Sequence, residues 1–171
     1  MEEKQVIENA DNKDVILEAV KEKGSFLDLA SDRLKNDKEV VLAAIQNDGG
    51  ALEFASQALK DDKEVVLKAV KEVGWVLCYA SDRLKADKEV VLEAVKVAGQ
   101  VLYYASQKLR DDREVVLEAV KNKGLILKYA SHRLREDPEV IEQAIKQDKR
   151  AACFIDRDLR ESEEIKKMLE N

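Results

Sequence analysis

The side chains that most often carry out catalysis or bind metal ions are scarce in this sequence. Its 171 residues include one histidine, His132, and two cysteines, Cys78 and Cys153. General acid–base and nucleophilic catalysis need a base beside a nucleophile, and no motif of that kind accompanies His132 in its segment ASHRLR. We therefore predict that His132 is an exposed helix residue. One histidine and two distant cysteines also cannot complete a four-ligand metal site.

The two cysteines are predicted to be free thiols. They lie 75 residues apart, which is three periods of a 25-residue repeat described below. At roughly 8 to 10 Å of helix packing per repeat, they would be about 25 to 30 Å apart, far beyond the ~7 Å between Cα atoms that a disulfide allows. Free thiols are typical of a reducing compartment.

Carboxylates are plentiful, with 36 Asp and Glu residues, but their positions favour structural roles. Asp87 and Glu89, for example, lie at a predicted helix start, where they cap the helix and interact with its dipole. No phosphate-binding loop or dinucleotide-binding glycine pattern is present, because each glycine of the repeats follows a helix. We predict that the protein is not an enzyme and that it needs no cofactor.

A row of basic residues raises the possibility of a nucleic-acid track, because repeats could align it with a phosphate backbone. The formal net charge of −6 and the acidic residues close to each basic one instead favour a ladder of solvated ion pairs. Nucleic acid is therefore the less favoured partner. The row consists of Lys35, Lys60, Lys85, Arg110, Arg135 and Arg160.

Nothing at the start of the chain predicts export or membrane insertion. The segment MEEKQVIENADN has no basic region followed by an apolar core, so it does not resemble a secretory signal. No run of apolar residues reaches the 18 or so that a membrane span needs. We predict a soluble, cytoplasmic protein without a membrane partner.

The secondary structure that must position these residues can be predicted from a repeat of 25 residues. When the copies are aligned, equivalent residues 25 positions apart form columns. One column holds good N-cap residues, so a helix is predicted after each of them. Twelve residues later, a column of glycines predicts the helix end, with a left-handed residue after the last turn. Lys149 interrupts this second column, and we expect an irregular or strained turn there. The N-cap column is Asn12, Asp37, Asp62, Asp87, Asp112, Asp137 and Ser162, and the glycines are Gly24, Gly49, Gly74, Gly99 and Gly124.

Between cap and glycine, the segment KEVVLEAVK has the apolar stripe of an amphipathic helix, with Val90, Val91, Ala94 and Val95 in one copy. After the glycine, VLCYASDRLK predicts a second short helix, which Ser81 could instead interrupt. Helices of about ten residues are marginal alone, so they must stack on their neighbours. We predict an all-α fold, an α-solenoid of about six two-helix repeats that forms a right-handed superhelix.

The predicted organisation is a single repeat domain over residues 1–171. Residues 1–12 form an N-terminal cap in which Val6 and Ile7 cover the first repeat. Residues 13–162 hold six repeats, and residues 163–171 form a C-terminal capping helix. Recurring segments, ASDRLK in one copy and ASQ in the next, indicate that a pair of repeats, 50 residues long, was duplicated.

Two sets of equivalent positions, named here the variable columns, differ from copy to copy, which predicts that they face solvent, because packing requirements recur with the fold. The first column is Ser25, Gly50, Trp75, Gln100, Leu125 and Arg150, and the second is Asp28, Glu53, Cys78, Tyr103, Lys128 and Cys153. They place large apolar groups on one face of the second helix. We predict that this face binds a protein or peptide whose identity the sequence does not specify. The alternative is that Trp75 and Tyr103 fill gaps between repeats. The predicted binding residues are Val73, Trp75, Cys78, Val97, Gln100, Tyr103, Leu125 and Lys128.

A column of aromatic residues on the same helix is predicted to pack between repeats, with a stacking platform for bases as the alternative. Its members are Phe54, Tyr79, Tyr104, Tyr129 and Phe154.

Written as D-K-E-V-V-L-x-A-V-K-x-x-G-x-x-L-x-Y-A-S-x-x-L-K-x, the unit resembles a bacterial and protist repeat family described only as a domain of unknown function. The resemblance runs from about residue 12 to residue 161 and departs from the pattern at Lys149, Ile155 and Asp156. It implies helical repeats, and the family has no established catalytic residues to carry over to this chain. A more distant similarity to the leucine-rich repeat variants, which alternate α-helix with 3₁₀-helix, implies that the second helix is partly 3₁₀.

Overall fold

A computed structural model describes residues 1–170, in which every regular element is a helix. Each repeat has three elements: a ten-residue α-helix, a six-residue 3₁₀-helix and a four-residue α-helix, named here the long helix, the 3₁₀-helix and the short helix. Repeats 1 to 6 start at Asn12, Asp37, Asp62, Asp87, Asp112 and Asp137. Within residues 1–170, no helix is both long and apolar enough to cross a bilayer.

The long helices span Lys13–Glu22, Lys38–Asn47, Lys63–Glu72, Lys88–Val97, Arg113–Asn122 and Pro138–Gln147. The 3₁₀-helices span Gly24–Leu29, Gly49–Phe54, Gly74–Tyr79, Gly99–Tyr104, Gly124–Tyr129 and Lys149–Phe154. The short helices span Asp32–Lys35, Gln57–Lys60, Asp82–Lys85, Gln107–Arg110, His132–Arg135 and Arg157–Arg160. Helices Glu3–Glu8 and Glu163–Glu170 flank the repeats.

The chain forms two compact units, Met1–Leu84 and the part from Lys85 onward. Within each unit, the long helix of one repeat packs on the long helix of the next, and the 3₁₀-helices pack on one another in the same order. This is the neighbour-to-neighbour packing of an all-α repeat solenoid, as the sequence predicted.

The second helix predicted for each repeat is in fact two elements, the 3₁₀-helix and the short helix. Each repeat therefore has three elements instead of the predicted two helices. The break falls at Ala-Ser, where both residues are extended, as at Ala55 and Ser56 (ψ 155° and 159°). Ser56 caps the short helix by accepting a hydrogen bond from the Leu59 N–H at 3.2 Å. Its own N–H donates to the Lys35 carbonyl of the preceding repeat at 2.9 Å. The serine thus joins two repeats at the point where it ends the 3₁₀-helix.

The predicted N-caps are confirmed. In repeat 3, the Asp62 Oδ1 accepts hydrogen bonds from the N–H groups of Glu64 at 3.0 Å and Val65 at 3.2 Å. Asn12 makes the same bonds in repeat 1. These bonds satisfy amide groups that a helix start otherwise leaves without partners.

The same aspartates also bind the preceding repeat. The Asp62 Oδ2 accepts a hydrogen bond from Lys38 Nζ at 2.8 Å, and this ammonium also lies 2.7 Å from Glu64 Oε2. One carboxylate therefore caps its own helix with one oxygen and anchors a lysine of the neighbouring repeat with the other. Equivalent ion pairs join Lys13 to Asp37, Lys88 to Asp112 and Arg113 to Asp137.

A second set of ion pairs occurs in every other repeat. Arg33 Nε donates to Asp11 Oδ1 at 3.0 Å, and Arg83 and Arg133 make the same bond to Asp61 and Asp111. The intervening repeats have Ala58 and Lys108 in place of these arginines. The alternation supports a 50-residue duplication unit, because the arginine and its aspartate recur together.

The glycine column is correctly predicted as a boundary, but the predicted left-handed conformation is wrong. No residue in the described part of the chain has a positive φ, and the long helix before Gly24 ends at the extended Lys23 (φ −148°). Gly24 is the first residue of the 3₁₀-helix. A Cβ on Gly24 would lie 2.6 Å from the Ala44 carbonyl oxygen of the next repeat. Glycine is needed here for close approach between repeats.

Amide side chains complete this contact. Asn47 accepts a hydrogen bond from the Gly24 N–H at 2.7 Å and donates to the Lys21 carbonyl at 2.9 Å. The carbonyl belongs to the last turn of the preceding long helix, where it has no partner within the helix. Asn122 makes the equivalent bonds to Gly99 and Lys96.

The predicted irregular turn at Lys149 is also wrong. A 3₁₀-helix begins at Lys149 as at each glycine, and no residue there is in a strained left-handed conformation. Leu169 follows Lys149 by 20 positions, as Ala44 follows Gly24. Lys149 Nζ donates to the Leu169 carbonyl at 2.9 Å, so its side chain bonds to the group that a glycine approaches elsewhere.

The predicted apolar stripes form the core. Val90, Val91, Ala94 and Val95 have no exposed surface. At the N-terminal helix, Val6 is buried but Ile7 is 54% exposed, so the prediction that both cover the first repeat is wrong for Ile7. The helix places them on different sides because consecutive residues are about 100° apart.

We predict that Gly24→Ala destabilises the protein by about 1 to 3 kcal/mol, because the new methyl group must displace the backbone carbonyl of Ala44. Gly50→Ala is the matched control: a Cβ there would meet only the Asp48 side chain at 2.9 Å, and we expect a change within about 0.5 kcal/mol. Urea denaturation followed by circular dichroism measures both. Equal effects of the two substitutions would contradict the close-approach explanation.

The two roles of Asp62 can be separated. Asp62→Asn keeps a capping oxygen but removes the ion pair with Lys38, and we expect a loss of about 0.2 to 1 kcal/mol in the free energy of unfolding. Asp62→Ala removes the cap as well and should cost about 1 kcal/mol more. Identical losses for the two variants in urea denaturation would show that the cap contributes nothing.

The ion pairs also predict acid sensitivity. Hydrogen bonds from Lys13 and Lys38 hold the pKa values of Asp37 and Asp62 below their usual range. A lowered folded-state pKa gives stability that is complete above the unfolded value of about 3.9 and is lost as pH falls through the folded value. The unfolding free energy of Asp37→Asn/Asp62→Asn should therefore fall less between about pH 5 and pH 2 than that of the wild type. Parallel pH curves would refute this linkage.

Candidate functional site

The 3₁₀-helices carry the surface predicted to bind a partner. In a 3₁₀-helix, residues three apart lie directly above one another, because each turn contains three residues. The helix Gly99–Tyr104 buries Val101 and Leu102 completely and leaves Tyr103 exposed. The two variable columns of the sequence, three residues apart, are thus brought to one side of each 3₁₀-helix, opposite the core.

In the unit Met1–Leu84, the predicted site residues lie at one 3₁₀-helix. Trp75 is 46% exposed, whereas Cys78 and Val73 are half-buried. This exposure favours the surface interpretation of Trp75 over a role limited to filling a gap between repeats. Val73 is the extended residue that precedes this 3₁₀-helix.

In the unit from Lys85 onward, aromatic side chains contact one another across two repeats. The Tyr103 ring lies 5.2 Å from the Tyr104 ring and 5.1 Å from the Tyr129 ring, measured between centroids. Lys128 Nζ lies 4.6 Å from the Tyr129 centroid, a cation–π distance. We name Tyr103, Tyr104 and Tyr129 the tyrosine cluster. Tyr103 is its most exposed member, at 56%.

The other predicted residues of this unit lie near the same helices. Gln100 and Leu125 are each the second residue of a 3₁₀-helix and are half-buried. Val97, the last residue of a long helix, is 45% exposed. The sequence favoured packing between repeats for Tyr104 and Tyr129, with a stacking platform for bases as the alternative. The rings of Tyr104 and Tyr129 are half-buried and also contact Tyr103. The sequence did indicate this contact, because each of these tyrosines directly follows a residue of a variable column.

The surface of the 3₁₀-helices differs in charge between the two units. Three sets of equivalent positions contribute to it, the two variable columns and the first residue of each short helix. Up to Leu84 these positions include Asp28, Asp32, Glu53 and Asp82. From Lys85 onward they contain no carboxylate: Gln100, Tyr103, Gln107, Leu125, Lys128, His132, Arg150, Cys153 and Arg157.

The predicted ion-pair ladder does not extend through the three arginines of the basic row, and other lysines and arginines form the ion pairs between neighbouring repeats. Lys35 Nζ is 3.7 Å from Asp28 Oδ1, and Lys60 Nζ lies 5.9 Å from the Tyr79 ring. Arg110, Arg135 and Arg160 are half-buried, and no described carboxylate lies within salt-bridge distance of them. The Nε atoms of Arg110 and Arg135 are buried without a hydrogen-bond partner.

The polar residues considered for catalysis are dispersed. His132 is exposed, and its Nδ1 lies 3.2 Å from Glu136 Oε1 in the next helical turn. Cys78 and Cys153 are free thiols, as predicted. Among residues 1–170, no three His, Cys, Asp or Glu side chains are grouped closely enough to share a metal ion.

Comparison with known proteins agrees with the repeat architecture. The profile of the domain of unknown function DUF4116 matches three consecutive segments, residues 12–60, 62–110 and 112–160. Each segment covers one pair of repeats, the same 50-residue period that the alternating arginine–aspartate pairs follow. Searches of curated proteins and of solved structures gave no match. The three matches together cover most of the chain, which therefore belongs to the DUF4116 family.

Proposed function

We propose that this chain is a non-catalytic helical-repeat scaffold that binds protein or peptide partners through its 3₁₀-helices. Tandem helical repeats build extended surfaces from rigid, similar units, and the residues on such surfaces can change without disturbing the core. Here the core columns recur in every repeat, whereas the exposed positions of the 3₁₀-helices vary.

The exposed Tyr103 in the tyrosine cluster carries this proposal. A tyrosine that is 56% exposed but held by two neighbouring rings presents a large contact area with little entropy left to lose on binding. Tyrosine and tryptophan are enriched among the residues that dominate protein interfaces. Trp75, in the other unit, offers a second contact of the same kind.

The proposed absence of catalysis rests on the dispersal of reactive groups. His132 is paired with Glu136, and the two cysteines lie in different units. A catalytic site needs a nucleophile or acid–base pair within hydrogen-bond distance of a shared substrate position. Most described aspartates with altered pKa values are instead bound to lysine, arginine or serine in structural contacts.

A selection experiment tests the binding proposal. The full chain is immobilised and used to select from a random-peptide library, and enriched peptides are measured by fluorescence anisotropy against wild type and variants. We expect Tyr103→Ser to weaken binding by about tenfold or more, because it removes the central contact of the surface. Trp75→Ser should affect only peptides that reach the first unit.

Ile7→Ser is the matched control, because Ile7 is almost equally exposed at 54% but lies on the N-terminal helix and is not one of the predicted binding residues. It should leave affinity unchanged. Circular dichroism verifies that each variant remains folded. The proposal fails if no peptide is enriched, or if the enriched peptides bind Tyr103→Ser as tightly as wild type.

A further inference from the structure

Arginines without carboxylate partners are concentrated in the unit from Lys85 onward. Arg110, Arg135 and Arg160 occupy the same position in successive repeats, at the end of each short helix. Lysine and arginine at the starts of the long helices are paired with aspartate and glutamate of the next repeat. The end of the short helix therefore retains positive charge that the fold itself does not neutralise.

The guanidinium groups of this row are held in place by packing. Arg110 and Arg135 are half-buried, and their Nε atoms have lost contact with water without gaining a partner. Burying part of an arginine stem restricts its rotamers before any ligand binds, which lowers the entropy lost on binding. With Nε buried, a carboxylate from solvent would bind the two terminal Nη groups of such an arginine, through two parallel hydrogen bonds.

A cavity of about 290 Å³ lies beside this row. Arg135, Arg157 and His132 line it, together with the aromatic ring of Phe154. Its two carboxylates already have contacts: Glu136 lies 3.2 Å from His132 Nδ1, and Asp156 caps a helix by accepting from the Asp158 N–H at 2.9 Å. The cavity thus combines cations and an aromatic surface.

The tyrosine cluster is part of the same repeats. Tyr104 and Tyr129 precede the short helices that end at Arg110 and Arg135, and Lys128 adds a further cation over the Tyr129 ring. Aromatic rings beside cations bind extended peptide segments well, since rings pack on aliphatic or proline side chains while cations pair with acidic ones.

We propose that the 3₁₀-helices and short helices from Gly99 onward bind an extended acidic peptide. Its carboxylates, one at every third residue, pair with Arg110, Arg135 and Arg160, and its intervening side chains contact the tyrosine cluster. This inference rests on the proposed binding function and specifies the partner.

The spacing follows from chain geometry. Helices that pack side by side are about 8 to 10 Å apart, so equivalent arginines in successive repeats advance by about that distance. A polyproline II peptide advances about 3.1 Å per residue, so three residues cover about 9.3 Å. A peptide with an acidic residue at every third position thus presents one carboxylate to each repeat.

A nucleic acid fits the same surface less well. The chain has a formal net charge of −6, and acidic ion-pair residues such as Asp112 and Asp137 belong to the same repeats. A polymer with a charge on every unit would bring additional phosphates near these carboxylates, whereas the peptide brings one charge for each arginine.

The test uses labelled synthetic peptides, the full chain and fluorescence anisotropy. One peptide has five copies of Asp-Pro-Ala. A second has the same composition with its aspartates contiguous, a third has Asn for every Asp, and a uridine oligonucleotide of equal length is the nucleic-acid probe. We expect the regularly spaced acidic peptide to bind at least about tenfold more tightly than the other three, and its affinity to fall with added salt.

The variant Arg110→Gln/Arg135→Gln/Arg160→Gln should weaken this binding by about tenfold or more. The control Lys21→Gln/Lys71→Gln/Lys121→Gln makes the same change in net charge at exposed lysines of the long helices and should bind like wild type. Thermal unfolding verifies that both variants are folded. A control variant that loses as much affinity as the arginine variant would show non-specific electrostatics and overturn the proposal.

Equal binding of the contiguous peptide, an unchanged affinity of the arginine variant, or no binding of the regular peptide would also overturn it. Preferential binding of the oligonucleotide would replace it with nucleic-acid binding. These outcomes differ from failure of the binding function itself. If library peptides still depend on Tyr103 while acidic peptides do not bind, only the acidic partner is wrong.

Discussion

The long helices depend on side chains that two repeats share. Ten residues are too few for a stable isolated helix. Four aspartates each cap their own helix and also bind a lysine or arginine of the preceding repeat: Asp37, Asp62, Asp112 and Asp137. Asn47 has a similar role at the opposite end, where it bonds to the last turn of the preceding helix. The polar termini that would make a short helix unstable are therefore satisfied by the neighbouring repeat, in the same contacts that hold the repeats together.

Close approach of the backbone sets the separation between repeats. Gly24 lies against the Ala44 carbonyl, so a side chain at this position would force the two repeats apart. Small residues on both sides of the contact, glycine on the 3₁₀-helix and alanine on the long helix, recur along the chain. The fold thus fixes the distance between consecutive binding surfaces as well as the distance between helices. A partner that contacts several repeats must match that spacing.

The fixed core leaves the surface of the 3₁₀-helices free to differ between repeats. A six-residue 3₁₀-helix buries two adjacent apolar residues and leaves the positions on either side of them accessible, as at Val101 and Leu102. Up to Leu84 this surface includes four acidic residues, Asp28, Asp32, Glu53 and Asp82, whereas from Lys85 onward the same positions contain no carboxylate. The two units therefore share one scaffold and present different chemistry.

The sequence alone determined the period, the helix starts, the core stripes and the family pattern, because each depends on local spacing. The caps at Asp37 and Asp62 and the buried Val90 and Val91 required no knowledge of distant contacts. Tertiary structure decided why the glycines are present, since a Cβ on Gly24 would collide with the carbonyl oxygen of Ala44, in the next repeat. It also decided which cations form ion pairs: Lys38 reaches Asp62 in the next repeat, whereas Arg110 and Arg135 reach no carboxylate. Such pairings depend on how repeats stack, and stacking geometry is not encoded in the spacing of one repeat.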